Sequence, residues 1–280
     1  MRPDTLGVIG LGAVGGSVAW QATAAGIPRV LGFTRRPVEG VAAVRAGAVT
    51  ELATSARSVL RRADLVVLAA PPAATLRLLD TAARDLPSGA FCTDVTGVQA
   101  AVLNRARAVG LGDRFAASHP LVEVPGTGFA AAAPDRFTNA VVYVSPDGDD
   151  DATAREVADF WERVLGAHPV VVDADTHDAL IAWTEHLPQT VGAALAHALA
   201  VQGPRGLTYP AATRRAVGPT VGTTEVWRDL LLLNRARVLD ALEGLETSIG
   251  ALRRALREGD AGALEAWLEA GARWRREASR

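Results

Sequence analysis

The run Gly10-Leu11-Gly12-Ala13-Val14-Gly15, with Gly16 behind it, constrains this chain more than any other stretch. An apolar segment, Leu6 to Ile9, precedes it. A helix-like segment, Ser17 to Ala25, follows and stops at Gly26, and a second apolar run covers Arg29 to Phe33. Strand, tight turn, helix and strand is the context in which a G-x-G-x-x-G match reads as dinucleotide binding. Gly10 permits the turn, Gly12 lets the backbone approach a diphosphate, and Gly15 lets helix and strand pack closely. Free N–H groups and the helix dipole then hold the anion without a charged side chain, so Leu11, Ala13 and Val14 count as part of the cofactor turn.

The end of the second apolar run reads Gly32-Phe33-Thr34-Arg35-Arg36-Pro37. A ribose-binding acid is usual there, and Thr34 stands in its place. A carboxylate would repel a 2′-phosphate, whereas Thr34 offers a hydroxyl and Arg35 and Arg36 offer guanidinium forks. This favours NADP, with NAD as the alternative; a solvated surface turn is the competing account of the two arginines. The apolar run Asp64 to Ala70 suits a central parallel strand buried on both faces. Ala70 and Pro71 fall at its carboxyl edge, where open α/β sheets bind their ligands.

Further strand runs, Ala90 to Val95, Arg114 to Pro120, Asn139 to Ser145 and His168 to Val172, alternate with helical segments. From Asp175 only helical stretches follow: Asp175 to Val201, Val226 to Arg257 and Asp260 to Ala278. The expected fold is α/β: an N-terminal Rossmann-type dinucleotide-binding domain over 1–172, then an all-helical domain over 173–280. Leu231, Leu232, Leu239, Leu242, Leu245, Ile249 and Leu252 make an apolar stripe at helical spacing, suited to core or dimer interface. Pro188 inside the first of these helices predicts a kink.

The chain has 280 residues and a formal net charge of −2, which gives no electrostatic reason to expect nucleic acid or an anionic membrane. All its basic residues are arginine, and without lysine Schiff-base chemistry is excluded. Cys92 is the single cysteine and lies in a strand run, which predicts an inert buried thiol. No uninterrupted apolar run is long enough for a bilayer, and the first strand begins too early for a signal peptide. A soluble, cytoplasmic protein is expected.

Three of the five histidines fall in informative places. His119, in Ser118-His119-Pro120, closes a strand at the carboxyl edge, beside the glycine turn if the sheet is doubly wound. Its ordinary pKa suits it to take a proton near neutral pH. A hydrogen-bonded structural histidine is the plain alternative. His186 sits in Glu185-His186-Leu187-Pro188-Gln189 at the expected kink, where packing alone is an equal explanation. His177 begins the same helix and could serve only to start it. No spacing of histidines and acids suggests a metal site.

The glycine turn, Thr93-Asp94-Val95, Ser118-His119-Pro120 with Gly128, His177-Asp178, His186-Leu187-Pro188 and Trp227-Arg228-Asp229 occur in one order along nearly the whole chain. In this combination the sequence resembles the prephenate/arogenate dehydrogenase family. The resemblance implies oxidative decarboxylation of a cyclohexadienol, giving 4-hydroxyphenylpyruvate from prephenate or tyrosine from arogenate. It implies His119 as the base, His186 and Gln189 as substrate-facing residues, and Trp227 as a wall of the pocket. It also implies an arginine for a substrate carboxylate, for which Arg214 is the candidate and Arg215 the alternative, and a homodimer through the helical domain.

The chain departs from the family pattern at several points. Thr96-Gly97-Val98-Gln99 follows Asp94, so the family's serine beside the histidine is missing and only Thr96 offers a hydroxyl. Val122 and Glu123 replace small residues, and Pro125 stands where an acid is common. Gln189 replaces a histidine. Glu185 replaces a serine and could pair with an amine, which arogenate has and prephenate lacks. Two alternatives stay open: a dehydrogenase of an amino-substituted prephenate analogue, and an NADP-binding regulatory protein whose catalysis has decayed.

Overall fold

The computed structural model describes residues 2–124, 126–148, 151–203, 208–218 and 223–278; Pro125 lies outside the described residues. The chain runs through β1 (Thr5–Ile9), α1 (Ala13–Ala24), β2 (Arg29–Phe33), α2 (Pro37–Arg45), β3 (Glu51–Leu52) and α3 (Ala56–Leu60). It continues through β4 (Leu65–Leu68), α4 (Pro72–Asp85), β5 (Phe91–Asp94), α5 (Ala100–Ala108) and β6 (Phe115–Pro120). β7 (Val141–Ser145), α6 (Ala152–Arg163) and β8 (His168–Val171) complete one sheet of order β3-β2-β1-β4-β5-β6-β7-β8. All neighbours pair in parallel except β6 and β7.

Alternation along the strands builds a core on each face of the sheet. Leu6, Val8, Leu65 and Val67 pack with Val18, Phe160 and Trp161 on one side. Ile9, Val66 and Leu68 pack with Leu60, Leu79, Val102 and Leu103 on the other. Strand order reverses between β1 and β4, which opens the ligand crevice of doubly wound sheets at that edge. β6 is separated from β1 by β4 and β5, so His119 is not beside the glycine turn as the sequence suggested.

The helical part begins with α7 (Ala174–Ile181), passes through a π-helical turn at Ala182–His186, and continues as α8 (Leu187–Gln202). Pro188 has no N–H for the carbonyl one turn back, and the chain widens into the π turn just before it. Leu187 N reaches back five residues to the Ala182 carbonyl. α9 (Ala211–Val217) and α10 (Thr224–Leu233) follow. The single helix expected over Val226 to Arg257 is two, because Asn234 interrupts it before α11 (Arg235–Glu258) and α12 (Ala261–Ala278).

By compactness, residues 1–234 form one unit and 235–280 another, so α7 to α10 belong with the sheet. In the second unit the Trp267 indole donates to the Ser248 carbonyl and hydroxyl, at 3.2 and 3.1 Å, tying α12 to α11. No described helix is long and apolar enough to cross a membrane.

Candidate active site

The glycine turn has the geometry that its residue types require. Gly10 has φ +108° and donates its N–H to the Phe33 carbonyl at 2.7 Å. A Cβ on Gly10 would stand 2.0 Å from the Ala69 carbonyl oxygen, and one on Gly15 would stand 2.0 Å from that of Gly10. A Cβ on Gly12 would meet nothing within 4 Å, so the space over that residue is open. Ala13 and Val14 open α1, whose first turn carries no acid to repel an anion, whereas the Leu11 side chain is core. Ala70 and Pro71 are half-buried across the crevice, with the Ala70 carbonyl held by the Thr75 hydroxyl at 3.1 Å.

Beyond β2, the Thr34 hydroxyl accepts from Arg36 N at 3.2 Å. The Arg36 guanidinium is paired with Glu39 at 2.7 Å. Arg35 is exposed and makes no ion pair among the described residues.

β5 and β6 are locked side by side by Asp94. Its fully buried carboxylate accepts from the backbone N–H of Thr96 and Ser118 at 3.0 and 3.1 Å, and from the Thr96 hydroxyl. Burial pushes the carboxyl up to about 7 against those donations. The sequence reading that put the Thr96 hydroxyl beside the histidine is corrected here. The hydroxyl bonds Asp94 and the Val98 carbonyl within its own turn, and no hydrogen bond joins it to His119 among the described residues.

From β6, His119 extends into a group of buried polar residues. Its Nδ1 lies 3.1 Å from His177 Nε2, and His177 Nδ1 lies 2.8 Å from Asp178 Oδ1. The two oxygens of Asp178 in turn accept the N–H groups of Gln99 and Ala100, at 2.8 and 3.0 Å, where α5 begins. The other face of the His119 ring meets Gly97 and Glu185: Nε2 is 3.8 Å from Glu185 Oε2, and a Cβ on Gly97 would lie 3.5 Å from it. Burial, then His177 and His186, pushes His119 down to about 3. The near-neutral titration expected from its type is therefore overridden by its surroundings, and the ring stands unprotonated. His177 is not the starter of its helix, since the Asp173 side chain caps Thr176 N at 2.9 Å.

The π-helical turn carries Glu185 and His186. Burial raises the Glu185 carboxyl and lowers His186 to about 4. Asn234 Nδ2 lies 3.3 Å from His186 Nδ1, while His186 Nε2 is buried without a hydrogen-bond partner among the described residues. The Trp227 ring meets that of His186 edge-on at 6.1 Å. Leu230 approaches Gly97, and Asp229 accepts from Ala73 N at 3.4 Å, so α10 lies against the ends of β4 and β5.

His119, Glu185, His186 and Trp227 are thus brought together. Gln189 is half-buried beyond them, with no hydrogen bond to His119 among the described residues. Arg214 is not brought to the group: it is exposed, donates to the Tyr209 carbonyl at 2.6 Å, and lines a separate hollow of about 470 Å³ between α8 and α9. The sequence reading did not single out Asn234, and it gave His177-Asp178 no part beyond the motif. An adjacent His-Asp pair was the available signal, but only the fold shows which ring it faces. No three His, Cys, Asp or Glu side chains among the described residues could hold a metal ion.

Over residues 23–171 the chain matches the family described as prephenate dehydrogenase, nucleotide-binding domain, and over 173–270 its dimerization domain. The glycine turn itself precedes the matched span. The prephenate dehydrogenase of Bacillus subtilis is 30% identical over 270 residues, covering 92% of this chain and 71% of that protein. The cyclohexadienyl dehydrogenase of Zymomonas mobilis is 27% identical over 264 residues, covering 91% and 89%. Among solved structures, prephenate dehydrogenase from A. aeolicus, in complex with hydroxyphenyl propionate and NAD+, superposes with a TM-score of 0.88 at 24% identity over 98% of each chain. That last likeness is one of fold.

Proposed function

The chain belongs to the prephenate dehydrogenase family, and from that premise we propose that it carries out the NADP-dependent oxidative decarboxylation of prephenate or arogenate, with His119 taking the hydroxyl proton. The observation that carries this reading is the buried His119 ring, with Nε2 facing Gly97 and Glu185 at the sheet edge that also bears the glycine turn; burial holds the imidazole below its ordinary value. The open space over Gly12 and the acid-free start of α1 fit a dinucleotide diphosphate. When bound, the nicotinamide supplies the hydride acceptor.

His119 accepts the proton of the substrate hydroxyl as the carbon bearing it gives up hydride. The ring carboxylate leaves as CO2, and aromatisation makes the step effectively irreversible. His186 and Trp227 wall the substrate side, and Thr34 with Arg35 would receive a 2′-phosphate. Arg36 is less available because Glu39 holds it. Arg214 has no geometric support as the carboxylate-binding arginine in the single chain. The exposed apolar residues Leu195, Val201 and Leu232 on α8 and α10 support a homodimer through these helices. Glu185 favours arogenate, or an amino-substituted analogue, since its carboxylate beside His119 would attract an ammonium group.

The test is a kinetic matrix of NAD and NADP against prephenate and arogenate, repeated for His119→Asn. The variant should keep cofactor affinity and lose roughly 10²- to 10⁴-fold in kcat. Cofactor binding without turnover on either substrate would overturn the reading in favour of a dehydrogenase of an amino-substituted analogue or a regulatory protein.

A further inference from the structure

The neighbours of His119 decide which of its ring nitrogens carries the proton at rest. Asp178 accepts on both oxygens, from Gln99 N and Ala100 N, so its 2.8 Å contact with His177 Nδ1 needs the hydrogen on that nitrogen. A neutral imidazole has one N–H, which leaves a lone pair on His177 Nε2. That atom is 3.1 Å from His119 Nδ1, a gap that two lone pairs cannot share. His119 therefore bears its hydrogen on Nδ1 and presents a lone pair at Nε2, toward Gly97 and Glu185.

Resting on the function proposed above, we propose that His177, held by Asp178, is the positioning residue that fixes His119 as its Nδ1–H tautomer and leaves Nε2 free for the substrate proton. His177 is fully buried, so no solvent competes for either nitrogen. Tyr143 meets its ring edge-on at 5.4 Å and His119 does so at 5.3 Å, which opposes rotation. Once His119 has taken the proton, its imidazolium still donates from Nδ1 to His177. The Asp178 carboxylate lies beyond, at the N-terminus of α5, and compensates the new charge. The opposite arrangement, with both His177 nitrogens protonated, would force the His119 hydrogen onto Nε2 and remove the base.

Long-range 1H–15N spectra of the free, 15N-histidine-labelled protein read the tautomer directly, with His119→Asn identifying the His119 signals among five histidines. The expected wild-type state is Nδ1–H with an unprotonated Nε2. His177→Leu should lose that preference and roughly 10- to 10³-fold in kcat, with KM moved by less than about threefold. His177→Gln, whose carboxamide oxygen can accept from Nδ1, should restore the tautomer and most of kcat. An Nε2–H wild type, a His177→Leu protein with unchanged tautomer and kcat, or no rescue by Gln would overturn the proposal. If His177→Leu fails to fold, the wild-type and His177→Gln spectra decide. The expected spectra from a protein inactive on both substrates would uphold the positioning role and sink only the assigned function.

Discussion

Asn234 Nδ2 lies 3.3 Å from His186 Nδ1 and donates to the Asp178 carbonyl at 2.8 Å, so the break between α10 and α11 is built into the wall of the candidate site. Asn234 is buried, and its amide serves two acceptors from one atom. Asn234→Leu removes both donations and leaves His186 Nδ1 buried without a donor, while the Asp178 carbonyl keeps the Ala182 N–H. Urea unfolding should show a loss of about 1–3 kcal/mol. Because His186 would then be free to turn, KM for the substrate should rise more than kcat falls. An unchanged midpoint would show that the break is held by other contacts.

Thr96→Val tests the corrected role of that residue. The hydroxyl donates to the buried Asp94 and not to His119, so its removal should act on stability, by about 1–3 kcal/mol in urea unfolding. The loss in kcat should stay under about tenfold, far below that of His119→Asn. A kcat loss matching that of His119→Asn at unchanged stability would restore the catalytic role.

The fold was legible where local pattern and tertiary structure agree. The glycine turn and the apolar runs around it locate β1, α1, β2 and β4 because each has its own steric reason. β3 has two residues, too few to show a period, and the Asn234 break lies in an unbroken helical pattern. Its cause is a pair of hydrogen bonds to α7 and the π turn, which no local propensity records. At the site, His119 and His186 could be singled out as residue types at element ends. The contacts among His119, His177 and Asp178 could not, because they join β6 to α7 and α5 across 58 and 79 residues of sequence. Thr96 was assigned to the histidine by its residue type alone, whereas its hydroxyl bonds a buried acid two residues earlier.

Two substitutions separate cofactor binding from folding in the glycine turn. At Gly15 an added Cβ would stand 2.0 Å from a backbone oxygen, so Gly15→Ala should destabilise the chain by several kcal/mol or prevent folding. At Gly12 the Cβ meets nothing and φ is −80°, so Gly12→Ala should melt within about 0.5 kcal/mol of wild type. Its methyl group would still occupy the space proposed for the diphosphate, and calorimetry should show at least about tenfold weaker NADP binding, or roughly 1.4 kcal/mol. Equal affinity for NADP in Gly12→Ala and wild type would place the diphosphate elsewhere.

Stability should depend on pH through His119 with a definite sign. The ordinary imidazole value is 6.5 and burial lowers it to about 3 in the fold. Between those values the unfolded chain binds a proton that the native state refuses, so stability falls as pH drops from 6.5 toward 3, by on the order of 1 kcal/mol per pH unit. His186, lowered to about 4, acts in the same direction. Asp94 acts oppositely: with its carboxyl raised to about 7, the native state holds a proton that the unfolded chain releases above 3.8, and stability falls as pH rises through that window. A melting curve of wild type alone therefore mixes both signs. In His119→Asn the His186 and Asp94 contributions remain and only the His119 one is gone. The difference in Tm, variant minus wild type, should grow steadily as pH is lowered from 7 to 4.5. A difference that stays constant over that range would mean that His119 titrates alike in the folded and unfolded chains.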